Sequence, residues 1–120
     1  MATRSTIALE LQNGKIKQVY CHWDGYLNGV GKTLLEHYPM EKMKILMKIG
    51  DIRALYNTID ETEFFYDETP VHVHENFQVF LEERMIEEYN YFMSKDGQLF
   101  LLTKDNNCVM KLPLTELEVA

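Results

Sequence analysis

Residues 19–38 read VYCHWDGYLNGVGKTLLEHY and join a predicted β-strand to a predicted α-helix. This stretch holds the only tryptophan of the chain, one of its two cysteines, two of its four histidines and three of its six glycines. The glycines at positions 25, 29 and 31 indicate a loop with unusual backbone angles or close backbone approaches. We therefore expect the chain to be organised around this stretch, and any unusual chemistry to lie in it.

The segment before this stretch predicts a β-hairpin. Between Ser5 and Gln12 the larger apolar residues occupy every second position, which is the period of a half-buried strand. Asn13-Gly14 follows, and both residues tolerate the positive φ that a type I′ turn requires. Ile16 to Trp23 is then the second strand.

The segments after it predict helices. Lys32 to Tyr38 and Met40 to Ile49 carry apolar residues at helical spacing, and Gly50 is suited to end the second helix. We expect Asp51 to cap a short turn and residues 56–73 to form a loop with at most one short strand. A third helix is expected from His74 to about Met85.

The last third of the chain predicts a meander of three short strands, separated by Asp96-Gly97 and by the turn residues at 105–107. Together these elements predict a single α+β domain over residues 1–120. Its sheet is expected to be antiparallel, with about five strands and helices packed on one face.

Composition excludes several classes of protein. Apolar residues make up 46% of the chain, which is too many for a disordered tail, and the net charge of −7 disfavours direct nucleic-acid binding. The chain opens without a signal-peptide pattern and has no apolar run near the ~18 residues of a membrane span. We expect a protein that contacts no membrane and keeps both cysteines, Cys21 and Cys108, reduced in a cytoplasm.

The run Cys21-His22-Trp23-Asp24 offers a thiol, an imidazole and a carboxylate within four residues. Adjacent residues of a strand point to opposite faces, so Cys21 and His22 cannot serve one site if the strand continues through them. We expect Cys21 to lie in the core and assign no catalytic residue. A small enzyme that uses His22 and Asp24 remains an alternative.

Gly31-Lys32-Thr33 resembles the end of a phosphate-binding P-loop, but five residues separate Gly25 from Gly31 where that motif requires four. The loop could still hold an anion beside aromatic rings. A small-molecule binder that sequesters a nucleotide signal is therefore a further alternative. The candidate binding residues are His22, Trp23, Asp24, Tyr26 and Lys32.

Two other clusters contain side chains that could bind a metal or a partner. His72 and His74 share a face if their segment is a strand, but they lack a third ligand at recognised spacing, so we expect no metal and no cofactor. The acidic residues Glu82, Glu83, Glu87 and Glu88 are typical of a solvated surface. They would alternatively form a partner surface that imitates nucleic-acid phosphates.

A resemblance to a family extends this interpretation. The chain is similar to small, mostly uncharacterised bacteriophage and prophage proteins that share a YCHWDGY...VGxxLLEHY motif. The residues that carry the resemblance are Arg4 to Ala8, Tyr20 to Tyr26, Val30-Gly31, Leu34 to Tyr38 and Gly50-Asp51, with a looser match at Glu88 to Phe92 and at Asp96-Gly97. The resemblance implies a phage origin and a location in the host cytoplasm, and it supplies no activity.

These observations favour a phage-encoded, non-enzymatic accessory protein. We expect it to bind and inhibit a host protein or defence complex, as anti-CRISPR and anti-restriction proteins do. The sequence leaves open whether the protein also binds a small anion or associates with itself.

Overall fold

A computed structural model describes residues 2–65, 71–84, 87–105 and 108–115 of the 120-residue chain. The strands are β1 (Ser5–Glu10), β2 (Ile16–Cys21), β3 (Ile52–Ala54), β4 (Glu63–Phe64), β5 (His72–His74), β6 (Tyr89–Met93), β7 (Leu99–Asp105) and β8 (Cys108–Pro113). The α-helices are α1 (Lys32–His37), α2 (Met40–Leu46) and α3 (Phe77–Arg84), and a π-helical turn (Leu27–Gly31) precedes α1.

The eight strands of the described ranges form one mixed sheet in the order β4-β3-β2-β1-β6-β7-β8, and β5 pairs with the beginning of β2. β1 lies inside this sheet. It pairs antiparallel with β2, where Ile7 is opposite Val19, and parallel with β6, where Ile7 is opposite Tyr91. β2 and β3 are also parallel, whereas β6, β7 and β8 form the predicted antiparallel meander.

The expected sheet of about five antiparallel strands is therefore wrong. Part of the reason is the length of β3, β4 and β5, which have three, two and three residues. Such strands are too short to show a period of two in the sequence. Asp51 was expected to begin a short turn, but the residues after it form β3 instead. The parallel pairing of β1 with β6 joins residues more than 80 positions apart, and no local pattern reports it.

Helices lie on both faces of the sheet, which corrects the expectation of one covered face. The first face carries Ile7 and Val19, and it packs with Leu34 of α1 and Met43 of α2 in the larger core cluster. The second face carries Ala8, Ile16 and Phe92, which form a smaller cluster with Phe80 of α3. Alternate residues of the central strands thus bury apolar side chains on opposite sides.

The predicted hairpin of β1 and β2 is confirmed, but its turn differs from type I′. Gly14 has a φ of 87°, whereas Asp24 is the only non-glycine residue with positive φ among those described. The N–H of Gly14 donates to the carbonyl oxygen of Leu11 at 2.9 Å. The chain therefore turns with one left-handed residue, and a glycine adopts that conformation at little cost.

The first two helices begin where the sequence predicts them, at Lys32 and Met40. The third begins at Phe77, three residues later than expected, because His74 belongs to β5. Asn76 precedes this helix and its Oδ1 accepts a hydrogen bond from the N–H of Val79 at 2.9 Å, as an N-terminal cap does.

Candidate functional site

The chain leaves the sheet at the end of β2 and makes a tight bend, residues 22–31, which we call the Trp23 corner. Backbone hydrogen bonds fix it on two sides. The N–H of Trp23 donates to the carbonyl oxygen of Arg53 at 3.0 Å, and the N–H of Gly25 donates to that of Thr3 at 2.8 Å. Within the corner, the N–H of Val30 donates to the carbonyl oxygen of Asp24 at 2.8 Å.

The glycines of the corner allow close packing, as their spacing predicted. A Cβ at Gly25 would lie 2.8 Å from both the Cβ of Ser5 and the carbonyl oxygen of Thr3. A Cβ at Gly31 would lie 3.1 Å from the hydroxyl oxygen of Tyr91, and that hydroxyl donates to the carbonyl oxygen of Gly25 at 2.7 Å. The corner is thus held against the sheet at several points.

Two large rings project from this fixed backbone. Trp23 is 42% exposed and Tyr26 is 40% exposed. The Tyr26 hydroxyl lies 3.3 Å from the carboxylate Oδ1 of Asp24, and the charge of Asp24 is the main cause that raises the pKa of Tyr26. Lys32 is exposed at the start of α1. The structure thus places Trp23, Asp24, Tyr26 and Lys32 at the surface.

His22 occupies the base of the corner and is partly buried. Its Nδ1 lies 2.7 Å from the hydroxyl oxygen of Tyr20, and its ring meets the Trp23 ring edge-on with centroids 4.8 Å apart. The Phe65 ring lies 6.2 Å from His22 and stacks on Tyr20 at 6.3 Å. His22 therefore connects the Trp23 ring to the stacked pair of Tyr20 and Phe65.

Cys21 points the other way. Its side chain is buried in the first-face core, and burial raises the pKa of its thiol to about 12. The Sγ atom donates to the carbonyl oxygen of Trp23 at 3.7 Å. A thiol with this pKa carries almost no thiolate near neutral pH, so Cys21 is not a nucleophile in this conformation.

The histidine pair lies at the edge of β2. His72 and His74 face the same way, with ring centroids 6.5 Å apart, opposite Gln18 and Ile16. Among the residues that the structure describes, no three His, Cys, Asp or Glu side chains come together as a metal site would require.

The acidic candidates are spread over two elements. Glu82 is exposed on α3 and its carboxylate accepts a hydrogen bond from Gln78 at 3.1 Å. Glu87 and Glu88 precede β6, where Glu88 is exposed and the carbonyl oxygen of Glu87 accepts from Asn90. The side chain of Glu83 lies outside the described part of the chain.

A further group of residues was not anticipated from the sequence. Gln18, Tyr20 and His22 follow one another on the second face of the sheet, and Arg53 lies over the Phe65 ring with its guanidinium carbon 5.4 Å from the centroid. The usable signal was the alternation of β2, which places Gln18 and Tyr20 on the face opposite Val19 and Cys21. Arg53 lies in β3, where the sequence predicted a turn, and Phe65 follows β4, within a segment predicted to be a loop with at most one short strand.

Comparisons with known proteins do not assign this site. No family model, curated protein or solved structure matches the chain. Across the described residues, none of the helices has the length and apolar character needed to cross a membrane.

Proposed function

We propose that this protein is a phage-encoded, non-enzymatic accessory protein that binds and inhibits a host macromolecule, acting in the host cytoplasm against a defence system such as CRISPR or restriction. The observation that carries this proposal is the Trp23 corner, where two exposed aromatic rings stand on a backbone fixed by hydrogen bonds. Tryptophan and tyrosine are the residues most enriched among those that dominate protein interfaces.

The rigidity of the corner supports this role. The hydrogen bonds of Gly25, Val30 and Tyr91 hold the backbone under Trp23 and Tyr26 before any partner arrives. A contact surface that is already ordered loses less conformational entropy on binding. The net charge of −7 favours a partner with a basic surface, because opposite charge speeds the encounter.

The chemistry of the corner also favours binding over catalysis. The Cys21 thiol is buried and protonated, and the Nδ1 of His22 is occupied by the Tyr20 hydroxyl. The Asp24 carboxylate meets Tyr26, a surface phenol whose pKa is raised, so the pair offers no activated nucleophile.

The test is a plating assay with phages that a host defence system restricts. We expect the wild-type protein, expressed in such a host, to raise the plating efficiency clearly above that of the same host without it. The double variant Trp23→Ala/Tyr26→Ala should lose this effect while it keeps its fold, because both rings are substantially exposed.

The matched control is Ile45→Ala, which removes an apolar side chain that is 54% exposed on α2 and lies outside the corner. It should protect the phage as well as the wild type does. Equal protection by the double variant would show that the corner is not the contact surface. Failure of the wild type against CRISPR and restriction hosts alike would reject the anti-defence role.

A further inference from the structure

The last strand of the sheet has one open side. β8 (Cys108–Pro113) pairs with β7, and no other strand of the described ranges pairs with it. The outer side of such a strand presents unpaired N–H and C=O groups, which bind another strand unless charge, proline or a covering segment prevents it. The residues of β8 therefore decide whether this edge can accept a further strand.

The register of β7 and β8 shows which backbone groups of β8 point away from the sheet. The N–H of Leu114 donates to the carbonyl oxygen of Leu99 at 3.0 Å. In an antiparallel ladder the hydrogen-bonded positions alternate, so Met110, four residues earlier, also directs its N–H and C=O at β7. Val109 and Lys111 direct theirs away from the sheet. They supply two donors and two acceptors to the outer side.

The side chains of β8 make this edge apolar. Met110 and Leu112 are 48% and 37% exposed, and Leu112 is opposite Leu101, which packs against the larger core cluster on the first face. β8 contains no aspartate or glutamate, although the net charge of the chain is −7. An apolar, acid-free strand is thus present at the edge of an acidic protein.

Two residues of β8 are of the types that protect edge strands, but neither blocks the outward donors. Lys111 turns its ammonium over the Phe77 ring, with Nζ 4.8 Å from the centroid, so its charge lies on the second face. Pro113 has no N–H and therefore removes only the donor at the end of the strand. The N–H groups of Val109 and Lys111 remain available.

We propose that β8 pairs with β8 of a second copy of this chain, antiparallel and across a two-fold axis at Met110. In this register Val109 of each copy is opposite Lys111 of the other, and their outward N–H and C=O groups form four hydrogen bonds. The two Met110 side chains meet at the axis, where unbranched thioethers adapt to one another. An axis at Lys111 is disfavoured because it would set two lysines directly opposite each other.

This pairing continues the sheet through both copies and leaves the Trp23 corner accessible. The corner is bonded to β3, whereas β8 is at the other end of the strand order. Self-association through β8 is independent of the proposed function, so either proposal can fail without the other.

The test is sedimentation velocity of the full chain at increasing concentration. Physiological ionic strength is used, because it screens the repulsion between two acidic chains beyond about 8 Å. We expect the wild type to shift from the chain mass of 14.2 kDa to twice that mass. Met110→Glu and Met110→Lys should each stay at the chain mass, since each sets like charges opposite across the axis. An equal mixture of the two variants should regain the doubled mass, because opposite charges then meet.

Val73→Glu is the matched control, because Val73 is an apolar residue of the short strand β5 and is 54% exposed. It should associate like the wild type. The proposal is overturned if the wild type keeps the chain mass up to millimolar concentration, or if both Met110 variants associate as the wild type does. It is also overturned if the mixture of the two variants stays at the chain mass.

Amide hydrogen exchange of the wild type decides the matter should the Met110 variants fail to fold. The N–H groups of Val109 and Lys111 should exchange quickly in dilute protein and slowly in concentrated protein. The N–H of Met110, which is directed at β7, should be protected at both concentrations. Exchange of the Val109 and Lys111 amides at a rate independent of concentration would refute the pairing.

Discussion

At the scale of single residues, neighbouring side chains at the end of β2 occupy opposite environments. Cys21 is buried in the first-face core, whereas His22, the next residue, lies beside Tyr20 and Trp23. The cause is the alternation of side chains along a strand. The thiol and the imidazole are therefore adjacent in the sequence but apart in the fold. Cys21 belongs to the core, and His22 supports the contact surface at the Trp23 corner.

The buried thiol gives the protein a pH dependence at high pH. The pKa of Cys21 is about 12 in the fold against an ordinary value of 9.0, so the unfolded chain loses this proton first. Its contribution to stability is complete below pH 9 and is lost as the pH rises towards 12. By pH 10 the unfolding free energy should fall by about 1 kcal/mol on this account.

Urea titrations between pH 7 and pH 10.5 measure this effect. Burial also raises the pKa of Tyr38 and Tyr91, so the wild type and a Cys21→Ala variant should both lose stability above pH 9. Because the variant lacks the thiol, its unfolding free energy should fall by less than that of the wild type, and the difference is the contribution of Cys21. Parallel curves for the two proteins would contradict the burial of Cys21.

At the scale of elements, long strands were predictable and short ones were not. β1 and β2 have six residues each, enough for a visible alternation, and Asn13-Gly14 marks the turn between them. β3 and β4 lack such a pattern and are strands because each pairs with a neighbour in the sheet. The Trp23 corner was recognised by its glycines, but the Phe65 ring, which follows β4 and meets His22, was not.

The glycines of the corner should therefore be less replaceable than a glycine in an ordinary turn. A Cβ at Gly29 would overlap the carbonyl oxygen of Asp24, which is backbone and cannot move aside. Gly14 has open space around it, so Gly14→Ala should cost only the strain of its positive φ, about 1 kcal/mol. Gly29→Ala should cost clearly more, about 2 kcal/mol or above. Urea denaturation compares the two variants, and equal losses would mean that the corner is not tightly packed.

At the scale of the whole molecule, a mixed sheet buries apolar side chains on both faces. The second face was missed because the predicted helix α3 does not show in its own sequence on which side of the sheet it packs, and because β6 reaches β1 only through a long-range parallel pairing. The same pairing brings Asn90 beside Thr6. The sequence therefore predicted the Trp23 corner but could not predict that Asn90 is buried beside Thr6 on the second face.

The smaller core cluster on the second face can be tested through Phe80, which is fully buried on α3. Phe80→Ala should destabilise the protein by about 3–5 kcal/mol, because it leaves a cavity against Ala8 and Phe92. Ile45→Ala, at an exposed position of α2, should change the stability by less than about 0.5 kcal/mol. A mild effect of Phe80→Ala in thermal or urea unfolding would show that α3 does not cover the second face.

The central claim is that the Trp23 corner is an ordered contact surface, and Trp23 is the only tryptophan of the chain. Replacing it with 5-fluorotryptophan gives one ¹⁹F NMR signal that reports on this corner alone. In the free protein we expect a single sharp signal with a clear solvent isotope shift. When the host defence complex that this protein inhibits is added, we expect the signal to shift, to broaden and to lose that isotope shift. A signal that keeps its position and solvent exposure while the two proteins bind would contradict the account.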